Sequence, residues 1–157
     1  MSAARARWTL FLCSCTILYI ELACIRWIPA YIRYLGYFTN FVLLGSFLGI
    51  GLGILQARRR LDLQTFFPAA LAILVAIVAT FKLQLVVNSA QEVFFQDLAV
   101  KAQGTESFFL LPMAFALVTV LFMLLGQNLG RLLLAVQPPL TAYTIDVAGS
   151  IAGSLLF

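Results

Sequence analysis

The stretch 38–62, FTNFVLLGSFLGIGLGILQARRRLD, decides the fold. Its first part, Phe38 to Gln56, carries no charge and is almost wholly apolar, close to the roughly 20 residues a helix needs to cross a bilayer core. It then stops at Arg58, Arg59 and Arg60, followed by Asp62. An apolar run closed by a block of arginines is the pattern of a membrane span meeting a charged surface. Gly49, Gly51 and Gly53 spell G-x-G-x-G, but a dinucleotide-binding turn needs a preceding strand and a helix N-terminus at the phosphates, and neither surrounds this run. The informative spacing is Gly45, Gly49 and Gly53, four apart and so on one helical face, where missing side chains let another backbone come close. The same spacing recurs at Gly126/Gly130 and Gly149/Gly153. Together these faces predict tight packing among the second, fourth and fifth helices.

Further apolar runs lie on both sides of this stretch, in a chain of 157 residues that is 63% hydrophobic and holds only ten basic and six acidic side chains. An ordinary soluble domain is about 45–50% apolar and 25% charged, so a soluble globular fold is excluded. The pattern predicts an all-α fold, a polytopic membrane helix bundle of about five transmembrane segments at 8–28, 38–56, 66–87, 108–136 and 140–157. Between the third and fourth, Ser89 and Glu92 have capping-box spacing, and Phe94, Phe95, Leu98 and Ala102 follow at helical spacing. They predict a short interfacial helix near 90–103, with Gly104 as its stop. Pro138 and Pro139 separate the last two segments, and Trp8, Trp27, Tyr31, Tyr34 and Tyr37 mark span ends as interfacial anchors.

Arg5, Arg7, Arg58, Arg59, Arg60 and Arg131 fall in connections on one side, against Arg26, Arg33 and Lys101 on the other. The positive-inside rule then sets a cytoplasmic N-terminus in the plasma (inner) membrane. The last apolar run reaches Ser-Leu-Leu-Phe without polar flanks, so the chain reads as a single transmembrane domain, 1–157, at the N-terminal end of a longer protein.

The absence of histidine excludes His-ligated haem, chlorophyll or metal, and triad catalysis that depends on His. Cys13, Cys15 and Cys24 share the first segment without C-x-x-C spacing and suggest neither a zinc site nor a disulfide framework. The net charge of +4 is explained by membrane topology, so no nucleic-acid partner is expected. No catalytic residue, cofactor or metal is expected in this chain.

Carboxylates inside a span are costly and call for partners. Glu21 lies deep in the first segment, and its candidate mates are Arg26, Lys82 and Asn40. Asp146 lies in the last segment, with Gln127, Asn128 and Arg131 at the end of the fourth as candidates. Each carboxylate is either a strut between helices or one wall of a solute path.

The run 18–55, LYIELACIRWIPAYIRYLGYFTNFVLLGSFLGIGLGIL, resembles the first helix pair of the membrane-integrated spermidine synthase-like proteins. The positions that carry the likeness are Glu21, Arg26 five residues later, Gly36 in the turn, and Gly45, Gly49, Gly51 and Gly53. The later AYTIDVAGSIAGSLLF, with Ala142, Tyr143, Asp146, Gly149, Ser150 and Gly153, is similar to the helix after that family's prolines; between the two the likeness is one of hydropathy. In full-length relatives this bundle precedes a soluble Rossmann-like domain resembling aminopropyltransferases, which takes an adenosyl thioether cofactor and a polyamine. No strand with an acidic glycine-rich loop occurs here, so the resemblance carries no transferase residue onto this chain.

The expected function is a membrane-embedded anchoring and packing domain whose partners are the lipid bilayer and further transmembrane helices or membrane subunits. Two alternatives stand beside it. One is a transport module for a small cationic or proton-coupled solute with Glu21 and Asp146 along its path, and the other an accessory subunit of a larger membrane complex.

Overall fold

The computed structural model describes residues 3–31, 39–59, 62–85 and 104–157. These form five α-helices, α1 (Ala3–Tyr31), α2 (Thr39–Leu55), α3 (Phe67–Leu85), α4 (Gly104–Ala135) and α5 (Pro139–Leu156), with a 3₁₀ turn at Leu63–Phe66 before α3. The described residues are 92% helical and include no strand. A helix pairs its backbone polar groups within its own segment, which suits long runs with few polar side chains to bond them.

Three stretches are long and apolar enough to cross a membrane, Ala3–Ile28, Leu63–Thr80 and Pro112–Ala135; Asn40–Leu55 is equally apolar but shorter. The five expected segments thus all correspond to helices, of which three have a span's length and hydropathy. α5, carrying Asp146 and several hydroxyl side chains, is not among the three. The expected interfacial helix near 90–103 lies outside the described residues, as do Arg33, Gly36, Arg60 and Lys101. Gly104, expected at the end of that interfacial helix, is the first described residue of α4.

The breaks between helices follow local chemistry. α2 tightens as it ends, with the Gln56 amide donating to both Leu52 and Gly53 carbonyls at 3.2 and 2.9 Å and Arg59 donating to Gln56 at 2.9 Å. α5 opens with Pro139 in its first turn, where a missing amide hydrogen costs nothing, and Thr141 and Ala142 donate back to the Pro138 carbonyl.

Two parallel helix pairs set the architecture. Along α2 and α4, Phe41 meets Phe115, Gly45 meets Val118, Gly49 meets Phe122, Gly53 meets Gly126 and Ala57 meets Gly130, so both numbers rise together. Along α1 and α5, Ser14 meets Asp146, Cys15 meets Gly153 and Tyr19 meets Phe157. The turn at 136–138 puts the end of α4 and the start of α5 at the N-terminal end of α1, so α1 runs against α2 and α4. α4 is the hub, touching α1, α2, α3 and the 3₁₀ turn. Its apolar stretch is 56% buried, against 11% for that of α3, which presents only a narrow stripe around Leu74 and Val78 to the core.

The parallel register makes a direct prediction. With native cysteines replaced, a Phe41→Cys/Phe115→Cys pair should cross-link efficiently, since the two rings stand 4.9 Å apart, whereas Phe41→Cys/Leu134→Cys should not. Equal yields from both pairs, read by gel mobility, would reject the register.

Candidate functional site

The buried face of α1 is Ala6, Leu10, Ser14, Ile17, Glu21, Cys24 and Ile28, a three-and-four spacing that forms one continuous seam. Two of its members are polar. Glu21 is only 3% exposed, and its Oε1 accepts a hydrogen bond of 2.6 Å from the Ser46 hydroxyl of α2, a residue wholly buried. Ser46 Oγ also lies 2.9 Å from the Leu43 carbonyl of its own helix. Two of the partners expected from sequence are elsewhere. Arg26 and Asn40 are exposed and make no bond to Glu21, and the side chain of Lys82, on α3, lies outside the described residues. At the same level as Ser46, Thr119 Oγ1 of α4 is buried without a hydrogen-bond partner among the described residues.

Two turns earlier on the same seam, about 10 Å along the axis, Ser14 donates to Asp146 Oδ1 of α5 at 2.5 Å and lies 3.0 Å from the Leu10 carbonyl. Beside it, the Asn128 amide of α4 donates to Cys13 Sγ at 3.7 Å. Glu21 itself and Ser14, the partner of Asp146, therefore lie on one face of α1, and each carboxyl group is held by a serine of a neighbouring helix.

Arg131 and Gln127, expected beside Asp146, are directed to the turn after α2 instead. Arg131 donates to the carbonyls of Ala57 at 3.3 Å and Arg59 at 2.9 Å and pairs with Asp62 at 3.0 Å. Gln127, 1% exposed, accepts from the Leu63 amide at 2.9 Å and donates to the Gln56 carbonyl at 3.2 Å. The reason is geometric: α2 and α4 lie backbone to backbone, so the last turns of α4 sit under the end of α2. The Arg131–Asp62 pair is substantially exposed and worth at most about 1 kcal/mol, so the carbonyl bonds do most of the positioning.

Glycine makes this contact possible. A Cβ on Gly49 would stand 2.8 Å from Phe122 Cβ and 3.0 Å from the Met123 amide nitrogen; on Gly126, 2.7 Å from the Ile50 carbonyl oxygen; on Gly130, 2.8 Å from Ala57 Cβ. Gly45 is looser, at 3.2 Å from Val118. Gly149 and Gly153 do not face α2 or α4, as the spacing had suggested, but rest on the backbone of α1 at Phe11 and Cys15.

Ser14 and Ser46 are the functional partners that sequence reading missed. A signal existed for both. Ser14 precedes Glu21 by seven residues and so shares its face, and Ser46 adjoins Gly45 on the glycine face. Among the described residues no three His, Cys, Asp or Glu side chains gather as a metal site. No protein-family model, curated protein or solved structure matches this chain significantly.

Proposed function

We propose that the chain is a five-segment helical domain anchored in the plasma (inner) membrane with its N-terminus in the cytoplasm. On this reading its interior holds helices together and receives further transmembrane helices or membrane subunits, and it performs no chemistry of its own. One observation carries the reading: both interior carboxyl groups, Glu21 and Asp146, are taken up by serine hydroxyls of neighbouring helices. Struts are bonded in this way, whereas a path needs groups free to meet a solute. The alternating helix directions support the five-segment count. The gathering of Arg5, Arg7, Arg58, Arg59 and Arg131 at one end supports a cytoplasmic N-terminus. α3, apolar from Phe67 to Ala79 and covered there along one narrow stripe, suits lipid or an added helix. The likeness to the membrane region of spermidine synthase-like proteins rests on Glu21, Arg26, the glycine run and the Asp146 segment. In such a protein an aminopropyltransferase-like domain would supply the activity.

The test compares Glu21→Gln and Asp146→Asn with the alanine variants at both sites, after extraction of membranes with alkaline carbonate. All forms should stay in the membrane pellet. The amide variants should keep helicity and melting temperature near those of the parent, while the alanine variants lose stability. Loss of proton or cation flux in reconstituted vesicles on amide substitution, with the fold intact, would replace this reading with the transport module.

A further inference from the structure

At the arginine-rich end of the bundle, a groove of about 400 Å³ opens beside the first turns of α1. It is lined by Ala4, Arg7, Trp8 and Phe11 of α1 and by Ile145 of α5. The α1 residues recur at three- and four-residue spacing and form one face, and the Trp8 and Phe11 rings meet edge to face with centroids 6.0 Å apart. Trp8 remains 66% exposed, a large apolar ring at a helix end with its outer surface uncovered. Arg7 is exposed and makes no hydrogen bond or ion pair among the described residues. The groove thus offers apolar walls and one unengaged guanidinium.

We propose that this groove binds an anionic phospholipid, its phosphate on Arg7 and the upper part of an acyl chain against Trp8, Phe11 and Ile145. The inference rests on the membrane reading above and deepens it by naming a ligand. Charge complementarity selects the occupant. Arg5, Arg58, Arg59 and Arg131 crowd the same end, where Asp62 is already paired with Arg131. Asp146, next to Ile145 in sequence, is turned to Ser14. A guanidinium binds phosphate through paired charge-assisted hydrogen bonds, and juxtamembrane basic residues draw anionic lipid from the leaflet they face. Trp8 has the amphipathic ring favoured at headgroup depth. A free phosphate would gain nothing from the apolar walls, whereas a lipid uses both parts of the site.

The experiment is native mass spectrometry of the full chain in mild detergent, titrated with phosphatidylglycerol or with phosphatidylcholine of identical acyl chains. One phosphatidylglycerol should be retained in preference, and Arg7→Ala should lower that preference by about tenfold, as the loss of one charge-assisted contact implies. Ala4→Leu, at an exposed position that narrows the groove, should weaken both lipids. Arg58→Ala removes the same charge at the same end without touching the groove and should leave the preference unchanged. An equal fall in Arg58→Ala, no fall in Arg7→Ala, or displacement of the lipid by inorganic phosphate alone would overturn the site. Circular dichroism confirms that each variant is folded. Release of the parent chain from membranes by carbonate would defeat the membrane reading itself, a failure distinct from these.

Discussion

Gly53→Ala should lower the stability of the detergent-solubilised protein by about 3 kcal/mol or more, at the upper end of what overpacking a tight contact costs. Gly51→Ala, two residues away on the same helix, should be neutral or stabilising. The Gly53 methyl would stand 2.6 Å from the Gln127 amide nitrogen and 2.7 Å from the Gly126 carbonyl carbon, and would also meet the Met123 carbonyl oxygen. All three obstacles are backbone and cannot rotate away, so α2 and α4 must separate. Separation also pulls the end of α2 from Gln127 and Arg131, whose bonds to Gln56, Ala57 and Arg59 hold the turn. At Gly51 nothing lies within 4 Å, and alanine gains about 0.5–1 kcal/mol of helix preference over glycine. Thermal unfolding followed by circular dichroism compares the two. Similar melting temperatures for both variants would reject the backbone-to-backbone contact.

Ser46→Ala should destabilise the bundle, although serine is the smaller and neutral partner. Removing Ser46 leaves a buried carboxyl group whose one hydrogen-bond donor among the described residues is gone, a loss of about 1–3 kcal/mol and more if the group is charged. Removing Glu21 leaves a hydroxyl that still has the Leu43 carbonyl at 2.9 Å. The double variant Glu21→Met/Ser46→Ala should recover most of the loss, because exchanging both partners for apolar groups is often close to neutral. The cycle should therefore give a coupling of roughly 1–3 kcal/mol. Additive effects would show that the 2.6 Å contact contributes nothing to stability.

The helices were legible because an apolar run near the length of a bilayer core, ended by charge or proline, is a local property. Helix boundaries match the expected segments within a few residues, except that α1 and α4 begin earlier, at Ala3 and Gly104. The polar residues that matter were legible one at a time: Glu21 and Asp146 stood out because a carboxyl group in an apolar run is rare. Their partners were not. Arginine and lysine by charge, and asparagine and glutamine by polarity, were the obvious candidates, yet both sites are bonded by serine, a residue ordinary in any helix.

From sequence alone came the all-α class, the apolar helices, the glycine faces and the two carboxyl groups, since each depends on composition and spacing within a single segment. Only the tertiary structure decided which faces meet. It set α2 parallel to α4, seated Gly149 and Gly153 on α1, turned Arg131 to the turn after α2, and brought Ser14 to Asp146 and Ser46 to Glu21. Apolar helices carry little information about their neighbours, because one apolar face is as good as another. The choice falls to close backbone approach at glycine and to a few short hydrogen bonds, and both depend on distances that exist only once the helices are side by side.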